Sequence, residues 1–453
     1  MFSGITDGIS RQIEGAVASV SGVFFEPVLR LGVTGLSRAG KTVFITGLVA
    51  NLLDRGRMPQ LSAQAQGRIE AVYLQPQPDD TLPRFAYEDH LAALTGNDPR
   101  WPQSTRAVSE LRLSFRVRPS GFFGSLAGPR VVHVDIVDYP GEWLLDLALL
   151  DKTYAEWSET TLDRIAKRAE AADFMATARA EDGSLRLDET KAQALAVSFT
   201  AYLTAARAAG WSDCTPGRFL LPGDLAGSPV LTFAPLPQPA TAPRNSLWRE
   251  MQRRYDAYKS RVVQPFFRDH FAKIDRQIVL VDVLGAIHQG PRAVEDLRRT
   301  MAEVLAAFRP GRNGWLSGLL GGKRVEKILF AATKADHLHS TSHDRLEAIL
   351  NRLVANATRR ARFAGAETRS LALAAIRATR EGVIEEDGET LDVILGTPIK
   401  GETLEGTTYD GKSEIALFPG DLPASPESLF EAGEPVALNF LRFMPPQKLD
   451  RNA

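Results

Sequence analysis

One stretch near the start of the chain has the residue types and the spacing of a phosphate-binding loop. Gly35 to Thr42 read GLSRAGKT, which matches the pattern G-x-x-x-x-G-K-[ST]. Glycines let successive backbone N–H groups turn toward an anion, while Lys41 can reach the β- and γ-phosphates and Thr42 can hold Mg²⁺. The sequence therefore predicts a site for a nucleoside triphosphate and its metal ion. The residues assigned to the nucleotide are Gly35, Ser37, Arg38, Ala39, Gly40, Lys41, Thr42 and Val43.

The segments on either side of this loop predict the elements that must position it. Residues 28–33 form an apolar run typical of a buried strand, and residues 43–53 are compatible with a helix. The N-terminus of that helix adds its dipole to the attraction for phosphate. An ordinary glycine turn before a helix is the alternative interpretation, and the order of strand, loop and helix disfavours it.

A second predicted strand supplies a carboxylate. Residues 130–137 are dense in β-branched residues, as in a strand buried on both faces, and they run into Asp138, Tyr139, Pro140 and Gly141. Ligands of open α/β sheets bind at the carboxyl ends of the strands, so Asp138 is expected beside the phosphate loop. Asp138 is the predicted acid for Mg²⁺, and Gly141 is the predicted N–H donor to the γ-phosphate. A simple turn after the strand is the alternative.

A third predicted strand, residues 326–332, runs into Thr333, Lys334, Ala335 and Asp336, which resemble the [N/T]-K-x-D element of GTPases. The Asp336 carboxylate can accept hydrogen bonds from N1–H and from the exocyclic amine of guanine, whereas adenine presents no such donor pair. The Lys334 stem can lie along the ring face. The element therefore predicts guanine selectivity, and the short Thr333 side chain leaves open whether it braces the phosphate loop.

The strand expected last in the sheet, residues 370–376, ends downstream of Asp336. GTPases present a backbone N–H to the guanine O6 at this place. Ala375 and Ile376 are the candidates for that donor. An ordinary core position at the end of an alanine-rich strand is the alternative.

A further metal ligand is needed between the first helix and the next strand. Trp101 to Thr105 read WPQST, just ahead of an alternating strand at residues 110–117. Thr105 is preferred to Ser104, because Ras-like switch I coordinates the metal through a hydroxyl a few residues ahead of that strand. A surface turn rich in hydroxyls is an equally good interpretation.

The predicted catalytic groups are Lys41, Thr105, Gly141 and Arg38. Arg38 is a candidate charge stabiliser near the β–γ bridging oxygen, unless it points outward as arginines in such loops commonly do. Glu142 stands where Ras-like enzymes place a water-orienting glutamine, and a carboxylate beside the γ-phosphate is repelled unless a cation or proton intervenes. We therefore expect slow intrinsic hydrolysis and a site that a partner protein or a second copy of the chain completes.

Taken in order, these segments resemble a known family. The phosphate loop, the WPxST turn, DYPGEW at 138–143, residues 275–284, the TKAD element and FPGDLP at 418–423 together resemble the YcjX-like family of bacterial P-loop proteins, over nearly the whole chain. The resemblance implies a stress-associated GTP-binding protein with a Ras-like nucleotide domain, often encoded beside an integral inner-membrane partner. The expected ligands are Mg²⁺ and GTP or GDP.

The composition agrees with a cytoplasmic protein. The net charge is −1 with 24% charged residues, so no basic field attracts nucleic acid. The single Cys214 excludes an internal disulfide and is expected to be a buried thiol. No apolar run reaches the length of a membrane span, and no secretion signal is recognised. We expect a cytoplasmic protein, peripheral at the inner membrane if its N-terminal helix docks there and not on its own protein.

The expected fold class is α/β, with a Ras-like P-loop NTPase domain, a large helical insertion and a small C-terminal β-rich subdomain. A chain of 453 residues is too long for one hydrophobic core. Strands near 110–118 and 130–138 predict the antiparallel hairpin of Ras-like sheets, and helices are expected at 145–179, 189–209 and 245–271. The expected division is 1–27 for an N-terminal amphipathic helix, 28–143 and 275–379 for the Ras-like domain, 144–274 for the insertion and 380–453 for the subdomain.

These assignments predict a slowly hydrolysing, GTP-dependent switch. Contacts of the γ-phosphate with Thr105 and Gly141 are expected to reposition the helical insertion. Two alternatives stay open at this point, an ATPase and a nucleotide-stabilised scaffold of an inner-membrane-associated complex with little turnover.

Overall fold

A mixed β-sheet runs through the centre of the protein, whose structure is a computed structural model. The structure describes residues 26–36, 38–54, 57–103, 107–119, 128–306, 325–363, 365–386, 388–430 and 436–446. The predicted N-terminal helix therefore lies almost entirely outside the described residues. The strands of the central sheet are β1 (Val28–Gly35), β2 (Ile69–Gln75), β3 (Ser109–Val117), β4 (Arg130–Asp138), β5 (Arg276–Val281), β6 (Lys327–Ala332) and β7 (Glu367–Ala372).

The seven strands lie in the order β2-β3-β4-β1-β5-β6-β7. Strands β4, β1, β5, β6 and β7 are parallel, and β3 pairs antiparallel with both β2 and β4. Val33 of β1 lies opposite Asp138, and Gly35 lies opposite Leu280. The carboxyl ends of the parallel strands therefore share one edge of the sheet, where the predicted motifs follow them. The predicted α/β class and the antiparallel hairpin are confirmed.

The central parallel strands β1, β4, β5 and β6 are rich in apolar residues that both faces of the sheet can bury. All of β5 is buried, and so are the last seven residues of β4. Strand β2 was not predicted from the sequence. Its residues are mostly half-exposed, because it lies at the edge of the sheet, and its alternation of apolar and polar side chains is weak.

Helices cover the sheet and build the insertion. They are α1 (Lys41–Leu53), α2 (Ser62–Ala65), α3 (Tyr87–Thr95), α4 (Gly141–Leu145), α5 (Tyr154–Ile165), α6 (Ala172–Ala180), α7 (Glu189–Ala208), α8 (Gly217–Leu220), α9 (Leu247–Tyr258), α10 (Gln264–Asp269), α11 (Val283–His288), α12 (Pro291–Ala306), α13 (His343–Leu353) and α14 (Ala355–Phe363). In the described part of the chain, none is both long and apolar enough to cross a membrane.

The insertion is helical, as predicted, but the helix expected at 145–179 is divided. Helix α4 runs into a 3-10 turn, and α5 starts anew with a capping box. In this box the Thr153 hydroxyl accepts from the Glu156 N–H, and the Glu156 carboxylate accepts from the Thr153 N–H. The chain bends again at Arg168, whose buried guanidinium bonds to Asp213 at 2.8 Å. The capping box and the bend at Arg168 therefore divide a stretch that helical periodicity alone would continue.

One further detail differs from the expected helices. The helix expected at 245–271 contains a π-helical turn, Lys259–Val263, between α9 and α10. An aromatic cluster forms the centre of the insertion, and in it the Trp157 and Tyr255 rings stack with their centroids 5.0 Å apart. Cys214 is buried beside this core, and burial raises the pKa of its thiol, which is the inert thiol expected.

The C-terminal region is rich in short strands, as predicted. These strands are β8 (Arg380–Glu386), β9 (Glu389–Gly396), β10 (Thr403–Leu404), β11 (Thr407–Thr408) and β12 (Ile415–Leu417). Strands β12, β9 and β8 form a small antiparallel sheet with its own core of Ile394, Leu417, Leu441 and Phe443. The boundaries proposed for the domains stay predictions.

Candidate functional site

The phosphate loop leads from β1 into α1 at the carboxyl edge of the sheet. Its backbone turns through two left-handed residues, Arg38 (φ 67°) and Gly40 (φ 78°). Gly40 immediately precedes the first residue of α1, Lys41, so the loop ends on a helix N-terminus, where unpaired N–H groups and the helix dipole favour an anion. Thr42 is buried, and its carbonyl accepts from the Thr46 hydroxyl at 2.8 Å. The left-handed residues Arg38 and Gly40, just ahead of a helix N-terminus, suit an anion-binding site.

The other loop residues have distinct surroundings. Ala39 is buried, Val43 is half-buried on α1, and Arg38 is exposed. A Cβ added to Gly35 would lie 2.7 Å from the Leu280 carbonyl oxygen of β5, so glycine is required there by close packing. Ser37 lies outside the described residues.

Asp138 and Gly141 lie beside the loop, as their positions in the sequence predicted. Asp138 ends β4 and is 1% exposed. A Cβ added to Gly141 would lie 2.1 Å from the carbonyl oxygen of Gly35. The backbone after β4 therefore rests directly on the first residue of the phosphate loop, with no space for a side chain between them.

Glu142 turns toward the insertion. Its carboxylate pairs with Arg207 at the end of α7, at 3.0 Å, and it is 7% exposed. A Cβ added to Gly217 would lie 2.2 Å from the Glu142 carbonyl oxygen. The residue in the position of the water-orienting glutamine is thus held by a cation of the insertion, an arrangement that the sequence did not reveal.

The next residues continue this contact. The Arg218 guanidinium lies over the Trp143 ring, 3.1 Å from its centroid, and the Trp143 indole N–H donates to the Leu221 carbonyl at 3.2 Å. Asp146 accepts from the Gly217 N–H at 2.8 Å and from the Tyr258 hydroxyl at 2.5 Å. Burial raises the pKa of Asp146 to about 7, against the lowering effect of these hydrogen bonds.

The TKAD residues Thr333 to Asp336, here called the base element, follow β6 at the same edge. Lys334 has a left-handed backbone (φ 61°), and its ammonium group bonds to Asp282 at 2.5 Å. The Thr333 hydroxyl donates to the Val281 carbonyl at 3.4 Å, so it braces the neighbouring strand β5. Asp282 stands at the end of β5, in the position relative to its strand that identified Asp138, and the same signal in the sequence could have found it.

The Asp336 carboxylate accepts from the Ala378 N–H at 2.8 Å, and the Thr379 hydroxyl donates to the Asp336 carbonyl. The strand expected at 370–376 is β7, which ends at Ala372, because its partner β6 ends at Ala332. Ala375 and Ile376 therefore lie in the loop after β7 and not at a strand end. This loop packs against α1. A Cβ added to Gly47 of α1 would be 3.1 Å from the Ala375 carbonyl oxygen.

The structure thus brings the phosphate loop, Asp138, Gly141 and the base element to one edge of the sheet. Of the WPQST turn, the structure describes Trp101 to Gln103. Ser104 and Thr105 lie outside the described residues. The sequence did not single out Arg207 or Ala378, because each reaches the site from a distant part of the chain.

A cavity of about 80 Å³ lies on the side of the phosphate loop that faces the insertion. Its lining includes Arg38 of the loop, the Glu142–Arg207 pair and Asp282. Two cations and two carboxylates balance one another here, and the base element does not contribute to the described lining. The cavity therefore belongs to the contact between the insertion and the sheet.

Comparison with known proteins gives this architecture a family. Residues 29–453 match the YcjX-like family, DUF463. The chain is 35% identical over 445 residues to a protein of Shewanella oneidensis named Ras-like GTPase YcjX, covering 92% of this chain and 88% of that protein. It is 36% identical over 410 residues to the Escherichia coli protein of the same name, and this match covers 87% of this chain and 86% of that protein. The resemblance carried by the phosphate loop, the DYPGEW segment and the TKAD element is confirmed, and the chain belongs to the YcjX-like family.

Proposed function

We propose that the protein is a GTP-binding, slowly hydrolysing switch, in which contact between the γ-phosphate and Gly141 is passed to the helical insertion. The observation that carries this proposal is the position of Gly141. Its backbone rests on Gly35 of the phosphate loop, and the next residue, Glu142, packs on Gly217 of the insertion. A small shift of Gly141 therefore has to move either the loop or the insertion, because tightly packed backbone does not deform continuously.

Guanine as the base is supported by the base element and by the names of the relatives, which are called Ras-like GTPases. Asp336 is half-buried, and the Ala378 N–H fixes one of its carboxylate oxygens. A carboxylate oriented in this way can accept from N1–H and N2–H of guanine. The Lys334 ammonium group bonds to Asp282, and this bond fixes the lysine stem beside the proposed guanine site.

Mg²⁺ suits the oxygen donors that are proposed to face the phosphates. The Thr42 hydroxyl and the Asp138 carboxylate are the hard oxygen donors that this ion prefers, and both residues are buried at the sheet edge. When bound, the metal neutralises charge on the β- and γ-phosphate oxygens. Lys41, the first residue of α1, is the proposed point charge on the same oxygens, and Thr105 is the proposed second hydroxyl ligand.

Slow hydrolysis follows from the placement of Glu142. Its carboxylate is tied to Arg207, so it is not free to orient an attacking water in the described arrangement. A partner protein or a second copy of the chain is the proposed source of the missing group. The proposed stress-associated role and inner-membrane partner rest on family resemblance, and the proposed cytoplasmic location rests on the composition of the chain.

A titration of the purified protein with labelled GTP, GDP and ATP at fixed Mg²⁺ tests the proposal. We expect clear preference for guanine nucleotides, and Asp336→Asn should weaken GTP and GDP by about 2–4 kcal/mol while favouring xanthine nucleotides. Equal affinity of the wild type for ATP and GTP would contradict guanine selectivity. Tight GTP binding without turnover would favour a scaffold.

Hydrogen exchange tests the output of the switch. Between GDP and a non-hydrolysable GTP analogue, we expect the largest differences at residues 138–150 and at residues 207–221, which contact them. Differences confined to the phosphate loop would contradict transmission into the insertion.

A further inference from the structure

The last described part of the chain, residues 436–446, here called the C-terminal segment, is rooted in the small sheet. Leu441 and Phe443 are buried with Ile394 and Leu417. The Met444 N–H donates to the Thr397 carbonyl at 2.8 Å. The segment is therefore part of a packed unit and not a loose tail.

This segment also contacts the base element. The Phe440 ring stacks on the His337 ring at 5.2 Å between centroids, and the Phe443 ring meets His337 edge-on at 5.3 Å. The Lys334 ammonium lies 5.6 Å from the Phe440 ring centroid. Aromatic rings of the C-terminal segment thus contact His337 and Lys334, on either side of Asp336 in the sequence.

The loop that supports Asp336 lies against the same unit. Ala378, whose N–H donates to the Asp336 carboxylate, packs against the core of the small sheet. A Cβ added to Gly396 would lie 2.8 Å from the Phe443 ring and 3.0 Å from Thr379. Displacement of Phe443 would therefore shift Ala378 and Thr379, which bond to Asp336.

Trp101, the first residue of the WPQST turn, also contacts the C-terminal segment. Its indole N–H donates to the Phe443 carbonyl at 2.7 Å, across more than three hundred residues of sequence. Trp101 and Phe443 are the points where the WPQST turn and the C-terminal segment meet. One residue, Phe443, thus contacts the turn through its carbonyl and the base element through its ring.

We propose that Trp101 and Phe440 are positioning residues for nucleotide binding, and that the C-terminal segment couples residues 101–103, the described start of the WPQST turn, to the base element. This inference rests on the proposed function, because it assumes that guanine binds at Asp336 and that the turn reports the γ-phosphate. Coupling of two sites is reciprocal, so contact of the γ-phosphate with the turn strengthens base binding, and base binding strengthens that contact. The C-terminal segment is then part of the switch.

The first test is Trp101→Phe, which removes the indole N–H and keeps an aromatic ring. With Mg²⁺ present, we expect affinity for a non-hydrolysable GTP analogue to fall about fivefold, as for loss of one neutral hydrogen bond, with GDP affinity unchanged. The exchange difference between the GDP and GTP-analogue states at 436–446, present in the wild type, should disappear. A merely structural role would weaken both nucleotides equally and leave that difference in place.

The matched control is Arg442→Gln, in the same segment. The Arg442 side chain is 68% exposed, and its guanidinium pairs with Glu402 and not with Trp101 or His337. We expect neither the affinity ratio nor the exchange difference to change, because exposed ion pairs contribute little. An equal effect of this control would overturn the assignment to Trp101.

The second variant, Phe440→Leu, tests the other end of the link while keeping an apolar side chain. We expect GTP and GDP to weaken together by a few-fold, since His337 and Lys334 lose the ring. The nucleotide-dependent exchange at 101–103 should also shrink. Unchanged exchange at 101–103 in a folded Phe440→Leu protein, or an unchanged nucleotide ratio in Trp101→Phe, overturns the coupling. If the wild type binds no guanine nucleotide, the proposed function itself fails.

Discussion

The two ends of the site are attached to the rest of the molecule in different ways. At the phosphate end, Gly141 lies on Gly35 and Glu142 lies on Gly217, at distances that leave no room for a methyl group. At the base end, His337 and Lys334 meet the rings of Phe440 and Phe443 at centroid distances above 5 Å. Close backbone packing transmits a shift of less than an ångström, whereas stacked rings can slide. In the proposed switch, the insertion is therefore suited to respond to the γ-phosphate, and the C-terminal subdomain to link base binding to the turn that begins at Trp101.

The largest effect is expected at the phosphate end, from Lys41→Ala. Loss of a charge-assisted contact to the phosphates should weaken GTP and GDP alike, by about 3 kcal/mol or roughly a hundredfold in Kd. Fluorescence titration with labelled nucleotides measures it. Thr42→Ala is the comparison, because its effect should shrink when Mg²⁺ is chelated. If Thr42→Ala is equally damaging with and without the metal, Thr42 is not a metal ligand.

The two close contacts of the phosphate end can be separated with Gly141→Ala and Gly217→Ala. Each added methyl group collides with a backbone oxygen, so each should lower the free energy of unfolding by about 1–3 kcal/mol. Gly141→Ala should also reduce the preference for GTP over GDP, since it disturbs the phosphate loop directly, and Gly217→Ala should reduce this preference less, through Glu142. Thermal melts and nucleotide titrations of both variants measure this. Equal losses of nucleotide affinity would show that the loop and the insertion move as one body.

The two ends should respond oppositely to pH. The folded pKa of Asp146, about 7, is above its ordinary value of 3.8, so the folded state keeps a proton that the unfolded state releases. Its contribution to stability is present at low pH and is lost as pH rises toward 7, by up to about 1.4 kcal/mol per pH unit. Burial lowers the pKa of His337, so its contribution is present above pH 6.5 and is lost as pH falls below it.

Asp146→Asn isolates the first of these effects. We expect the stability of the variant relative to the wild type to rise by about 1–3 kcal/mol between pH 5 and pH 8. Chemical denaturation of both proteins at several pH values measures the difference. A difference that does not vary with pH would mean that Asp146 keeps its ordinary pKa in the folded protein.

The smallest effect is expected from Arg207→Gln, which leaves the Glu142 carboxylate without its cation. Arg207 is 27% exposed, so we expect a loss of about 1 kcal/mol, regained when Glu142→Gln is added. A double-mutant cycle on unfolding measures the pair. Nucleotide affinity should not change. A large fall in GTP hydrolysis without a fall in stability would instead place Arg207 on the phosphates.

Much of this site could be predicted because its residues follow strands directly in sequence. Asp138 is the last residue of β4 and Asp336 stands four residues after β6, and parallel strands bring their carboxyl ends to one edge. Local signals also existed where the predictions were wrong. Thr153 and Glu156 form a capping box that marks the start of α5, so the long helix expected there could have been divided.

The rest depends on contacts that no local pattern encodes. The Glu142–Arg207 pair and the Ala378–Asp336 bond each join residues tens of positions apart. Their partners are ordinary in type, an arginine late in a helix and a backbone N–H in a loop. Only the packing of the insertion and of the small sheet selects them, and that packing is decided by the whole core.

The strand order β4-β1-β5 limits how the protein could be reduced to a minimal nucleotide-binding unit. The chain leaves β4 at the phosphate edge and must cross β1 to begin β5 at the opposite edge. A span of about 20 Å, the length of six strand residues, is too long for a two- or three-residue linker. One helix of about 13 residues would cover it. A shortened protein would therefore need such a helix in place of residues 144–274, ending so that Asp275 still bonds to the Arg30 N–H.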